Sequence, residues 1–401
     1  MSILREITVK SEKYWKTDEI LVFIGPRQAG KTTVLKQIKN DLEKQGETCF
    51  FLDLEDPEYL GLLNQSPKNL FKIFSINSAR KNFVFVDEVQ YLNNPSNFLK
   101  YLFDEHKEKL KLIISGSSAF YLDRKFKDSL AGRKKIFNVY TLSFREFLKF
   151  KKEDDLAKKD FGKISLEEKS KVSLYYHEFM VFGGYPRATL ASLEDKKDIL
   201  KEIAYSYIKK DIYEANIRQD EMFYKLFKIL ADQAGNLVNA SELANTLNLS
   251  KTAIDNYLYV MQKSFHLALI RPFFQNIRKE ITRMPKVYFY DSGLRNFFVN
   301  DFSQFETRND KGQLLENAVF RQLLEKYDTD EIKFWRTIDQ KEIDFIAGDS
   351  ALEVKTDSGK FREKKYKLFL ENYPDKKLSF VSLDIEANSA DSYPVIDVWG
   401  V

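Results

Sequence analysis

A chain of 401 residues with 43% hydrophobic and 14% aromatic residues has apolar material for two or three packed domains, which excludes a disordered or fibrous polypeptide. Its 64 basic and 60 acidic residues leave a formal charge of +4, a balance that permits nucleic-acid contact without arguing for it. One cysteine (Cys49) excludes an internal disulfide, three histidines argue against zinc, and no apolar run approaches the roughly twenty residues of a membrane span, so a cytoplasmic protein without a membrane partner is expected.

The first expected strand, residues 20–24, runs directly into Gly25-Pro26-Arg27-Gln28-Ala29-Gly30-Lys31-Thr32-Thr33. Strand before and amphipathic helix after is the context in which G-x-x-x-x-G-K-[ST] acts as a phosphate-binding loop. Backbone amides of such a loop, with the N-terminus of the following helix, aim donors and partial positive charge at an anion. Lys31 would reach the β- and γ-phosphates, and the Thr32 hydroxyl would ligate Mg²⁺. Strands at 48–54, 82–87, 111–115 and 137–142, with helices between, extend this into an α/β doubly wound parallel sheet. The third strand ends in Asp87-Glu88, where buried acids are costly unless a cation or substrate is present. Asp87 is expected to hold Mg²⁺ and Glu88 to polarise the attacking water, a pairing that favours ATP hydrolysis over a GTPase or a small-molecule kinase. The fourth strand ends in Ser115-Gly116-Ser117-Ser118, and a hydroxyl there, Ser117 above all, could touch the γ-phosphate; a turn of small residues is the alternative.

Ala131-Gly132-Arg133 follows, and Arg133 could stabilise transition-state charge in cis or across a subunit interface, as against a solvated basic turn. A homo-oligomer is therefore allowed. Residues 151–172, rich in Lys, Asp and Glu, read as exposed helix or linker. Gly183-Gly184-Tyr185-Pro186-Arg187 reads as a sharp turn between helices, with nucleotide sensing by Arg187 as the second reading. At residues 222–275, Asn239-Ala240-Ser241-Glu242 is a capping box opening one helix, 251–263 is a second, and 265–270 is a strand of a wing, which is helix-turn-helix patterning. The presumed recognition helix offers Lys251, Thr252, Asp255 and Asn256. DNA and a protein partner are both open to such a module.

Two alternating runs, 342–347 and 351–356, flank Gly348-Asp349 and read as a hairpin. A two-residue turn sets Asp344 opposite Glu353 and Glu342 opposite Lys355, on one face. Opposed carboxylates repel, and a divalent cation between them would offset the cost, with Lys355 beside a reacting phosphate. Glu316 falls within the apolar arc of an expected helix at 313–327, where a carboxylate needs a metal or a basic partner. An ordinary polar sheet face and a Glu316–Arg pair are the alternative.

The phosphate loop, Asp87-Glu88, Gly132-Arg133, Gly183-Gly184-Tyr185-Pro186 and Asp344…Glu353-x-Lys355, in this order, resemble the bacterial and archaeal AAA+-type ATPases that carry a winged helix and a C-terminal domain similar to PD-(D/E)xK nucleases. The resemblance covers nearly the whole chain. It implies an ATPase domain over 1–150, a helical lid or linker over 151–221, a winged helix over 222–300 and a nuclease-like α/β domain over 301–401. It also implies Mg²⁺ at Asp344 and Glu353, water activation by Lys355, and Glu316 completing that site. Ile343 stands where the nuclease pattern has proline, and only eight residues separate Asp344 from Glu353. ATP and Mg²⁺ are the expected cofactors and DNA the expected partner; the alternative is a nucleotide-gated, protein-binding switch whose nuclease-like domain is inert.

Overall fold

The structure, a computed structural model, describes residues 3–77, 80–116, 130–274, 276–357, 365–383 and 394–401. It divides into two units, Met1–Thr141 with Lys263–Phe265, and Leu142–Gln262 with His266–Val401.

The first unit is built on five parallel strands: β1 (Ile20–Ile24), β2 (Thr48–Asp53), β3 (Asn82–Asp87), β4 (Leu110–Gly116) and β5 (Lys134–Asn138). Their order in the sheet is β2-β3-β4-β1-β5. Every residue of β1, β3 and β4 is buried, as continuous apolar strands between helix layers should be. Helix Lys31–Lys44 packs Val34, Leu35, Ile38 and Leu42 into the same core as Phe23, Phe85, Ile113 and Phe137. All strands run the same way, so the loops after β1, β3 and β4 emerge on one edge, where ligands bind in open α/β sheets. The last strand lies earlier than the 137–142 expected. It pairs Ile20 with Lys134 and Ile24 with Asn138, and it is an edge strand whose Lys134 and Lys135 hide the apolar pattern. The Lys135 ammonium lies 5.1 Å from the Tyr14 ring centroid, so its stem covers apolar surface while the charge stays wet.

The second unit begins with helices and ends in a seven-stranded mixed sheet. Helix Leu166–Phe182 stops at Gly183-Gly184, and Pro186 opens the short helix Pro186–Leu190, which is the sharp turn expected. Glycine is required at 183: its φ is +73°, and a β-carbon would lie 2.1 Å from Asp291 Oδ1. Asp291 accepts from the Gly184 amide at 2.8 Å and the Leu294 amide at 3.0 Å, tying this turn to the start of helix Ser292–Val299.

Helix Asp220–Asp232 is followed by Ala240–Leu247 and Lys251–Lys263. Asn239 caps the second of these three, its side chain accepting from the Ser241 and Glu242 amides. Then come β6 (Leu267–Pro272) and β7 (Lys286–Phe289), paired antiparallel, with Leu237 bridging to Lys286. The remaining strands are β8 (Lys333–Arg336), β9 (Glu342–Ala347), β10 (Ser350–Lys355), β11 (Lys377–Ser382) and β12 (Val395–Asp397). Their order is β12-β11-β10-β9-β8-β6-β7, so the strands of segments 222–300 and 301–401 share one sheet. Helix Lys311–Leu323 is shorter than the 313–327 expected at its C-terminal end, and buries Leu315, Val319, Phe320 and Leu323.

Candidate functional site

The phosphate loop connects fully buried β1 to helix Lys31–Lys44. Gly25 has no room for a side chain, since a β-carbon would sit 2.0 Å from the Val139 carbonyl oxygen. Gly30, in the left-handed region at φ +96°, is the residue before the helix, and no side chain caps that end, which leaves its amides to an anion. Lys31 is buried and donates to the carbonyls of Gly25 (3.2 Å) and Pro26 (3.0 Å), curled over the loop it serves. Arg27 and Ala29 are buried in the loop, Gln28 has φ +57°, Thr32 is half-buried and Thr33 exposed.

The carboxyl ends of β3 and β4 stand beside this loop. Asp87 is buried, and burial pushes its carboxyl above the ordinary range against the hydrogen bonds from Ser115 and Thr32 and the charge of Lys31. Ser115, fully buried at the end of β4, donates its hydroxyl to Asp87 Oδ1 and accepts from the Glu88 amide at 3.1 Å. Glu88 adopts left-handed backbone (φ +55°), and its carboxylate accepts from the Gln90 side chain. A hydroxyl and a carboxylate in contact, Thr32 and Asp87, form a hard-oxygen pair that fits Mg²⁺.

Ser117, the serine singled out in the sequence, lies outside the described residues; Ser115 takes the bridging position. Arg5 was not foreseen. Its buried guanidinium donates to the carbonyls of Ala29 and Tyr140 and so braces the loop from beneath. Nothing in local periodicity marks it, because its partners are distant in sequence.

Arg133 is not at the nucleotide edge of its own sheet. Its carbonyl accepts from the Ile20 amide at the start of β1, one strand length of about 16 Å from the loop. Its guanidinium pairs with Asp104 at 2.7 and 3.3 Å. A contact in cis is therefore not available from this position. Arg187 pairs with Glu202 at 2.7 Å on an exposed helical surface.

The C-terminal hairpin turns at Gly348-Asp349 as expected, with Ala347 paired to Ser350 and Phe345 to Leu352. The ladder ends there, one step short of opposing Asp344 and Glu353. The Asp344 carboxylate instead accepts from the Val354 amide at 2.8 Å. Glu353 is buried, bonded to Lys355 at 2.6 Å and Lys365 at 3.2 Å, and its Oε2 takes no hydrogen bond. Glu316 meets a lysine where an arginine was the alternative: Lys286 Nζ lies 3.1 Å from it, 2.6 Å from Glu342 and 3.9 Å from Asp344. Tyr288 also donates to Glu316.

Burial pushes the Glu316 carboxyl up to about 7, against the pull of Lys286. The Glu353 carboxyl is also raised, by burial and then by Asp344. Burial pulls the Lys286 ammonium down, but Glu316, Asp344 and Glu342 outweigh it and hold it above its ordinary value. The donor set therefore does not fit a divalent ion as it stands. Among the described residues no three Asp, Glu, His or Cys side chains are grouped to hold a metal, and an ammonium occupies the space between the acids.

Helix Lys251–Lys263 exposes Lys251, Thr252, Asp255 and Asn256 to solvent. With Arg271 and Arg283 it lines a cleft of about 460 Å³. No helix among the described residues is long and apolar enough to cross a membrane.

With this geometry in view, residues 17–148 match the family model described as an AAA domain. Residues 173–305 and 311–399 match models of two domains of unknown function, DUF8612 and DUF4143. An uncharacterized protein of Methanocaldococcus jannaschii is 30% identical over 393 residues, 95% of this chain and 85% of that one. The chain belongs to the family of that archaeal protein. An uncharacterized protein of Haemophilus influenzae is 29% identical over 342 residues, covering 82% of this chain and 80% of its own. Among solved structures, C. elegans PCH-2 aligns with 63% of this chain and 65% of its own at 16% identity and a TM-score of 0.33. AMPPCP-bound DnaA from Aquifex aeolicus aligns over 65% and 89% at 14% identity and a TM-score of 0.31. Likenesses this slight carry no argument. The AAA model and the five-stranded parallel sheet, with its loop and acids at one edge, make the first unit an AAA-type P-loop ATPase domain.

Proposed function

We propose that this protein binds and hydrolyses ATP with Mg²⁺ and couples that cycle to DNA contact through its second unit. The observation that carries the ATPase part is the junction of Thr32, Asp87, Glu88 and Ser115 at the mouth of the phosphate loop. Gly25 to Thr33 supply the cradle, and Lys31 leaves the loop carbonyls for the β- and γ-phosphates. Thr32 and Asp87 are the residues that would hold Mg²⁺, which when bound offsets charge developing on the phosphates. Glu88 takes the proton of the attacking water, its position set through the amide held by Ser115. Arg133 acts, in this reading, on the nucleotide of a neighbouring copy.

The DNA part rests on element order. Helix, bridging residue Leu237, two helices and an antiparallel strand pair follow the winged-helix sequence of elements, and the third helix is open to solvent. We assign 1–150 to the ATPase domain, 151–221 to a helical lid, 222–300 to the winged helix and 301–401 to a nuclease-like domain. A second reading, a nucleotide-gated switch with an inert nuclease-like domain, is favoured for the C-terminal part by the lysine among its acids.

Phosphate release and ATP calorimetry test the first part. Lys31→Ala should lose ATP affinity, while Glu88→Gln should bind ATP and turn over about 10²- to 10⁴-fold more slowly. Full turnover by Glu88→Gln sinks the assignment of the base. Turnover stimulated by duplex DNA, falling as salt rises, supports the DNA reading; no DNA binding even at low salt replaces it with the switch.

A further inference from the structure

We propose that Lys286 is a built-in cation that takes the place of a divalent ion in the C-terminal carboxylate cluster, so that the wild-type cluster binds no metal. The inference rests on reading segment 301–401 as nuclease-like in shape and inert in chemistry. Four carboxylates converge there, Glu316, Glu342, Asp344 and Glu353. Four cations answer them: Lys286, Lys355, Lys365 and Arg336, the last 2.9 Å from Glu342. With all four acids ionised the cluster is neutral, and a divalent ion could enter only by displacing cations already there, of which Lys286 is the one held in place.

The four cations differ in how firmly they are held. Lys355, Lys365 and Arg336 keep about a third of their side chains exposed, at 29%, 35% and 33%, and can swing to water. The Lys286 side chain is 2% exposed. Its backbone lies in β7 between two partners, Ile270 of β6 on one side and Leu237 on the other. Its ammonium lies 5.5 Å from the Phe334 ring centroid. A cation fixed by strand pairing and touching acids from helix Lys311–Leu323 and from β9 holds these elements in register, as a structural ion would.

Glu353 Oε2, buried without a hydrogen bond, favours a metal, but Lys355, Lys365 and the Tyr366 hydroxyl already face that carboxylate. Removing the Lys286 charge would leave four acids against three mobile cations, with Glu316, Glu342 and Asp344 losing the ammonium that stands between them. The neutral, isosteric Lys286→Met variant should therefore gain what the wild type lacks.

The experiment is Mn²⁺ titration, followed by electron paramagnetic resonance, of the nucleotide-free full chain as wild type, Asp344→Asn, Lys286→Met and the double variant. Ions taken up at the phosphate loop are common to all four and cancel in the differences. We expect wild type and Asp344→Asn to titrate identically, and Lys286→Met to gain one ion that the double variant loses. A wild-type ion that disappears in Asp344→Asn overturns the proposal, as does a folded Lys286→Met protein that gains none. Should Lys286→Met fail to fold, the wild-type and Asp344→Asn pair decides alone. ATP turnover of the same proteins with Mg²⁺ reports on the ATPase proposal separately, because none of the substituted residues belongs to that site.

Discussion

Ser115→Ala isolates the hydroxyl that, among the described residues, joins the two acids of the nucleotide site. The serine is fully buried, donates to Asp87 Oδ1 and accepts from the Glu88 amide at 3.1 Å. The substitution removes a charge-assisted hydrogen bond, worth about 1.5–3 kcal/mol, and leaves the Glu88 amide to find another partner. If that bond is felt in full when charge develops on the phosphates, the barrier rises by about 1.5–3 kcal/mol, roughly a 10- to 150-fold fall in kcat. The loop amides and Lys31, which in the proposed reading grip the phosphates, are untouched, so the ATP dissociation constant should change by less than about threefold. Steady-state phosphate release with calorimetric ATP titration separates the two quantities, and a urea midpoint checks that the fold survives. A variant with kcat within about threefold of wild type refutes the reasoning, since the hydroxyl would then position neither acid. A fall in affinity that matches the fall in kcat also refutes it, because the bridge would then be acting on the loop.

Arg133→Ala, which breaks the Asp104 pair at the edge remote from the loop, should lower turnover with little effect on ATP binding. Mixing it with Lys31→Ala should restore part of the activity if the arginine serves a neighbour, and no restoration with a monomeric mass in ATP by light scattering counts against that role. Asp310→Ala removes the carboxylate shared by the buried guanidiniums of Arg295 and Arg308 and should cost about 3–5 kcal/mol in denaturant unfolding. Burial pushes the Asp310 carboxyl up, but the two arginines outweigh it and hold it at about 2 against an ordinary 3.8. A depressed carboxyl stabilises the folded chain above its unfolded value, so this contribution is present above pH 3.8 and fades towards pH 2. The variant should accordingly show a flatter acid limb of stability against pH. Gly183→Ala must fit a β-carbon 2.1 Å from Asp291 Oδ1 at φ +73°, and should lower stability by at least about 2 kcal/mol; an unchanged urea midpoint would show that the turn yields.

How far the sequence could be read depended on the distance over which each feature is encoded. The phosphate loop and Asp87-Glu88 are local: a few consecutive residues specify strand, turn and acid, and the structure sets them on one edge of a parallel sheet. The hairpin turn at Gly348-Asp349 was equally legible, because a two-residue turn fixes register by itself. The bounds of β5 were not, since an edge strand with lysines on its open face shows no apolar period. The cis option for Arg133 falls for a topological reason. Standing just before a parallel strand puts a residue at the amino-terminal edge, and that follows only once the segment after Arg133, rather than 137–142, is known to be the strand. Lys286 was the least visible of all. Pro285-Lys286-Val287-Tyr288-Phe289 carries a local signal, a lysine inside an apolar strand, which a buried charge should have justified. Its partners lie far along the chain, at Glu316, Glu342 and Asp344, and no periodicity reports a contact of that separation. The carboxylates were found because opposed acids repel and an acid on an apolar helix arc needs a partner, and a divalent ion was inferred to offset that repulsion. The same electrostatic requirement, applied to every lysine in an apolar run, leads to the opposite partner. A buried lysine and a buried acid cluster in one unit are each costly alone, and pairing them removes both costs without an added ion.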